Sequence, residues 1–239
     1  MLIPVYQLRV CWDVSPIGVL HVGAHEAEEA VAYEKAGWTP VIWVEGLPEK
    51  ADALRNRFKG SAKHSVVSAI AWDEDGLMLP MHRASNGQSS SVFEMSLHLI
   101  EHPTISVVDT CVLPSSRLDT ALGGCPHPFD FLSLDIQGAE LHALKGLGSL
   151  LDGIRWVYAE VNTKALYRDA PLVKEIDAYL AGFQFTRVDT AMTSHGWGDA
   201  LYIRNDVLPR SPAIRRFARR LIARVLRTDL AAKLFRDSR

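Results

Sequence analysis

The chain is punctuated by short apolar runs that each stop at a glycine or an acid and give way to a stretch of helix-forming residues. Val19-Leu20-His21-Val22 stops at Gly23, and residues 26–36, rich in Ala and Glu, stop at Gly37. Pro40-Val41-Ile42-Trp43-Val44 closes on Glu45-Gly46, and residues 48–58 follow with Pro48 in a first helical turn. Runs of this length flanked by such punctuation read as buried strands alternating with helices, and a β-α-β succession implies a parallel sheet. The strand-forming residues Val66, Val67, Ile70 and Trp72 predict a third strand over 64–72. The rhythm resumes with a strand over 129–136, a helix over 139–151, a strand over 155–161 and a helix over 171–181. A last strand pair is expected over 183–188 and 200–204.

Residues 73–128 break the rhythm. Asp75-Gly76 marks a turn, 86–91 (Asn-Gly-Gln-Ser-Ser-Ser) reads as a polar loop, and 96–101 as a short helix ended by Pro103. These residues are expected to be insertions that face a substrate.

In a parallel α/β sheet, ligands bind beyond the carboxyl ends of the strands where strand order reverses, so the residue after each strand is the one to inspect. Here those residues are Gly23, Glu45, Asp135 and Glu160. Gly23 permits close backbone approach, and a carboxylate at Glu45 can accept both hydroxyl hydrogens of a ribose. Acids after three strands of one sheet converge on one rim, where merely solvated acids would scatter. Asp135 and Glu160 are candidate proton acceptors, and with Asn162 they form an all-oxygen set whose ligand type suits Mg²⁺. A base without a metal is the preferred reading.

The segments Val22-Gly23-Ala24-His25, Trp43-Val44-Glu45, Leu118-Asp119, Phe131-Leu132-Ser133-Leu134-Asp135-Ile136-Gln137-Gly138-Ala139-Glu140, Ala159-Glu160-Val161 and Trp197-Gly198-Asp199-Ala200-Leu201-Tyr202 resemble the successive motifs of FkbM-type methyltransferases. The resemblance spans roughly residues 17–205, and Asp-Ile-Gln-Gly-Ala-Glu is its most specific part. It implies a Rossmann-like class I methyltransferase fold, a seven-stranded, mostly parallel sheet with an antiparallel last strand. It also implies S-adenosylmethionine as cofactor and transfer of a methyl group to a hydroxyl, of a sugar in a glycan, glycolipid or glycosylated metabolite. By the same resemblance Gly23 and His25 surround the methionine part, Glu45 holds the ribose, Ser68 and Ala69 border the adenine, and Asp135 and Gln137 face the sulfonium. The chain departs from the family at His21, where an acid is usual, and at Ala27, where a glycine is usual. Those departures also fit a catalytically silent binding module.

Two other chemistries compete. His98-Leu99-Ile100-Glu101-His102 matches the His-x-x-Glu-His pattern of zinc peptidases, but Pro103 ends the helix and no third ligand stands at a recognisable spacing. A nicotinamide dehydrogenase would use Glu45 equally well, yet Gly-x-Gly-x-x-Gly and Tyr-x-x-x-Lys are both missing.

The 239 residues suit one α/β domain over 1–208, with residues 1–16 as lead-in. Three cysteines fit no disulfide framework. No apolar run is long enough to span a membrane and no signal peptide is evident, so a cytoplasmic location is expected. From Arg210 on, ten Lys and Arg stand against Asp229 and Asp237, a charge of about +8 that leaves about −10 on the rest. Within 209–239, Ile214, Phe217, Leu221, Ile222 and Val225 recur at helical spacing opposite Arg216, Arg220, Arg224 and Arg227, predicting a basic amphipathic helix. It would pack on protein, in a homodimer for instance, or lie on the inner face of a membrane. The acidic body argues against nucleic acid as partner.

Overall fold

The structure, a computed structural model, describes residues 1–125 and 127–208. The basic amphipathic helix expected over 209–239 lies outside the described residues.

A lead-in helix α1 (Val5–Trp12) precedes β1 (Val19–Val22), α2 (Ala30–Ala36), β2 (Val41–Glu45), α3 (Pro48–Arg57) and β3 (His64–Ser68). After an excursion described below come β7 (Phe131–Leu134), α6 (Glu140–Gly146), β8 (Trp156–Asn162), α7 (Val173–Gly182), β9 (Phe185–Met192) and β10 (Trp197–Arg204). Seven strands form one sheet in the order β3-β2-β1-β7-β8-β10-β9. β10 runs antiparallel to both its neighbours, and the other pairings are parallel. This is the Rossmann-like arrangement the sequence implies. Strand order reverses between β1 and β7, which fixes the ligand crevice at their carboxyl ends.

The apolar runs are continuous because both faces of the central strands are covered. Leu20, Val22, Ile42, Val44, Leu132 and Leu134 enter one core against α6 and α7. Val19, Val41, Trp43 and Phe131 enter the other, with Leu8, Tyr33 and Leu54 from α1, α2 and α3. Register then does the positioning. Val22 lies beside Val44 and Leu134, Leu134 beside Ala159, and Glu160 beside Asp199. One residue further along, Glu45, Gly23, Asp135, Glu160 and Asp199 therefore form a single row across the sheet's rim.

Residues 73–128 correct the sequence reading. The strand expected over 64–72 is two strands, because at Ala69 the chain leaves the large sheet: β3 ends at Ser68 and β4 (Ile70–Trp72) belongs to a second sheet. That sheet, β4-β6-β5, is completed by β5 (Met78–Ala84) and the eleven-residue β6 (Val107–Arg117). Neither strand was expected. β6 contains Asp109, Pro114, Ser115 and Ser116 and lies mostly exposed, so it carries no apolar alternation to betray it. Between β5 and β6 run the 86–91 segment and the short α4 (Leu97–Glu101), and after β6 comes α5 (Leu118–Ala121). The helix expected over 139–151 is α6 followed by a 3-10 turn, Gly148–Gly153, and the one expected from residue 26 begins at Ala30. Among the described residues no helix is long and apolar enough to cross a membrane.

Candidate active site

Gly23 opens the crevice for a backbone reason. Its φ is +90°, and a Cβ there would stand 1.8 Å from the Asp135 carbonyl oxygen, so any side chain would force β1 and β7 apart where they end. His25 and Ala27 follow at φ +45° and +54°. Ala27 thus occupies, fully buried, the left-handed conformation that glycine adopts without strain, at a cost of about 1–2 kcal/mol. The loop keeps its shape with alanine. His21 is buried beside Tyr33 and Trp43, its Nδ1 3.1 Å from the Tyr33 hydroxyl, and burial lowers its pKa, so it sits as a neutral packed ring.

Glu45 ties two loops together. Oε2 accepts the His25 N–H at 2.8 Å and Oε1 the Leu47 N–H at 2.9 Å, while burial raises its pKa against those two bonds. A carboxylate has about four lone-pair sites, so two remain for a diol. A cleft runs past it, lined by Gly23, Leu47, Ala69, Ile70, Met81 and Val92. Its open side is closed by the inserted segment: Lys50 donates to the Gly87 carbonyl at 2.7 Å, and Gln88 to Glu28 at 3.3 Å. Ala69 is in this cleft. Ser68 is exposed at the end of β3 and lines neither this cleft nor the cavity beside it.

A second, larger cavity adjoins the first and shares Gly23, His25, Gln88, Asp135 and Gln137 with it. Here the two candidate bases meet. Gln137 Nε2 donates to Asp135 Oδ1 at 2.7 Å and to Glu160 Oε2 at 3.0 Å. Gln137 is held in turn by the Tyr167 hydroxyl on its Oε1 at 2.6 Å and by the Ser91 hydroxyl on its carbonyl at 2.7 Å. Burial raises both carboxyl groups, opposed at Asp135 by the Gln137 bond and reinforced at Glu160 by the Asp135 charge. Glu160 goes well above the usual range. Asp135 is the member of the pair that the cavity leaves accessible.

Glu140, to which no role was given beforehand, shapes this loop. Its carboxyl accepts the N–H groups of Ile136 at 3.0 Å and Gly138 at 3.1 Å, and burial lifts its pKa to about 7. That bonding holds Gln137 at φ +55° and Gly138 at φ +104°.

Other residues fall less neatly. Asn162 is buried outside this cavity with its Oδ1 unpartnered, so it does not join Asp135 and Glu160 on the cavity wall. Among the described residues no group of three or more His, Cys, Asp or Glu side chains is arranged to hold a metal ion. His98 and His102 both line the cavity, but α4 has only five residues, and Glu101 is engaged by His195 at 2.7 Å and Lys164 at 3.4 Å. Trp197 and Asp199, expected in the last hairpin's loop, lie in β10 and reach the cavity.

The family described as the methyltransferase FkbM domain matches residues 21–186. This chain belongs to that family. It is a methyltransferase family, and the matched span takes in Gly23, Glu45, Asp135 and Glu160 of the rim row. Among solved structures the chain is similar to a ribosomal protein methylase from Lactobacillus delbrueckii subsp. bulgaricus, at 14% identity over 80% of this chain and 72% of the other, TM-score 0.46. It is also similar to magnesium protoporphyrin IX methyltransferase from Synechocystis PCC 6803, at 12% identity over 79% and 70%, TM-score 0.43. They bear on neither the acceptor nor the mechanism. No curated protein matches the chain.

Proposed function

We propose that this FkbM-family protein transfers a methyl group to a hydroxyl, with a sugar-like polyol as acceptor. The single observation behind this is the shared wall. Gly23, His25, Asp135 and Gln137 border both cavities, so one pocket's ligand meets the other's beside a carboxylate.

The cleft fits S-adenosylmethionine. Glu45 keeps lone pairs for the ribose, Gly23 leaves room for the methionine backbone, and Ala69, Ile70, Met81 and Val92 offer an apolar slot for a flat base. When bound, the cofactor supplies an electrophilic methyl group on a sulfonium.

This chain's residues then orient the acceptor and take its proton. Asp135 would accept the acceptor's hydroxyl hydrogen as the oxygen takes the methyl group, the sulfonium–methyl bond breaking to leave a neutral thioether, and the proton would end on the Asp135–Glu160 pair. Gln137 fixes the spacing of the two carboxyl groups, and Tyr167 and Ser91 fix Gln137, so the acceptor meets a preorganised base. The 86–91 segment, tied to Lys50 and Gln137, borders the junction.

The test is methyl transfer from labelled S-adenosylmethionine to a panel of hydroxyl, amine and thiol acceptors. Product on a sugar hydroxyl supports the reading, and methylation confined to nitrogen or sulfur replaces it.

A further inference from the structure

We propose that the acceptor carries a protonated amine beside the hydroxyl that is methylated, as an amino sugar does, and that the acidic, aromatic wall of the larger cavity recognises it. The proposal rests on the methyltransferase reading above and deepens it.

Five carboxyl groups line that cavity, Glu28, Glu29, Asp135, Glu160 and Asp199, and among the described residues no Lys or Arg does. Their partners are mostly neutral. Asp199 takes bonds from the Tyr158 hydroxyl and the Leu2 N–H, and Asp135 and Glu160 from the Gln137 amide. Glu28 faces His25 and the Gln88 amide. Glu29 stands beside Glu28 on the same wall. The smaller cleft differs, with Lys50 on its wall and Glu45 bonded by backbone N–H groups.

Two further features point the same way. Trp197 and Tyr167 present rings to the cavity, and an aromatic face attracts a cation. His98 also lines it, only 5% exposed, and its Nδ1 has no hydrogen-bond partner. A buried orphan of that kind is satisfied by a bound hydroxyl, which can donate or accept. Burial and the neighbouring His102 hold the His98 imidazole below its usual range, so it adds no positive charge. A phosphate or carboxylate on the acceptor would meet this acidic wall with no Lys or Arg among the described lining residues to receive it.

The experiment uses the full chain saturated with S-adenosylhomocysteine and measures by calorimetry the binding of three probes at neutral pH: methyl glucosaminide, methyl glucoside and glucose 6-phosphate. The amine is expected to bind at least about tenfold more tightly than the neutral glycoside, with the phosphate weakest and with the preference shrinking as salt rises. The double variant E28Q/E29Q should narrow the amine preference to under about threefold. Equal affinities for amine and neutral probes, no detectable amine binding, or tightest binding of the phosphate would each overturn the proposal while leaving the methyltransferase reading intact. Failure of S-adenosylhomocysteine itself to bind would instead strike that underlying reading.

Discussion

The two cavities meet at Gly23, Asp135 and Gln137 but are built by different means. The smaller cleft is walled by the ends of β1, β2 and β7 and by apolar side chains, with Glu45 bonded to two backbone N–H groups and Lys50 bonded to the Gly87 carbonyl. The larger cavity is walled by carboxyl groups and imidazoles, among them His98 and His102 from the 86–105 insertion and Asp199 from β10. In the first, Glu45 is buried with its ionisation shifted upward, but it stands alone between two backbone donors. In the second, the carboxyl pair of Asp135 and Glu160 is held apart by one amide, and each acts on the ionisation of the other. A coupled carboxyl pair in a cleft points to a place of proton transfer.

The largest effect that would sharpen this contrast comes from the shared wall. Gly23→Val must push a side chain through the Asp135 carbonyl, and it should cost more than about 4 kcal/mol, so that soluble folded protein is lost on expression. A folded variant with an ordinary melting temperature would show that β1 and β7 separate easily.

Asp135→Asn comes next. It should lower turnover by about 10²–10³-fold, while S-adenosylhomocysteine affinity changes by less than about threefold, since shape is kept and only the charge is lost. Equal losses in turnover and affinity would move Asp135 to the binding side of the comparison.

Glu140 gives a smaller, pH-dependent effect. Its pKa in the folded protein, about 7, lies above the ordinary 4.5, so the native state holds the proton more tightly than the unfolded chain. The associated stability is fully present below about pH 4.5 and is lost as pH rises through 7, at about 1.4 kcal/mol per unit of difference. Glu140→Gln should therefore flatten the melting temperature across this window. A decline as steep as that of the unaltered protein would assign the pH dependence to other groups.

In the smaller cleft, Glu45→Gln keeps one acceptor oxygen and removes the charge. We expect S-adenosylmethionine to bind about tenfold more weakly by calorimetry, or about 1.4 kcal/mol, with the fold retained. An unchanged dissociation constant would take Glu45 out of the ribose site. Smallest of all is Ser68→Ala, which should change cofactor affinity by less than about twofold because Ser68 reaches neither cavity. A larger loss would extend the cleft past the end of β3.

Much of this was legible beforehand because parallel pairing is regular. Once the apolar runs ending at Val22, Val44, Leu134 and Ala159 are recognised as strands, equal register puts the residues after them side by side, and Gly23, Glu45, Asp135 and Glu160 follow without further information. Gln137 was placed near the reacting centre by resemblance, but its bridging of the two carboxyl groups was not foreseen. Ser68 lies one residue short of the turn into the second sheet, and that break between β3 and β4 has no signature in a run as strand-like as His64–Trp72. Glu140, Ser91, Tyr167 and Lys50 went unassigned because each acts on a residue distant in sequence or on the backbone of a loop.

The sequence alone determined the strand-helix rhythm, the parallel sheet and the acidic rim, since these depend on hydrophobic period and on the residue that ends each strand. Tertiary structure decided the rest. The second sheet pairs β4 with β6 across more than forty residues and gives β6 few buried side chains, so local patterning could not announce it. The charge state of Asp135 and Glu160 depends on burial and on each other, and both arise only when β7 and β8 lie side by side in the folded sheet.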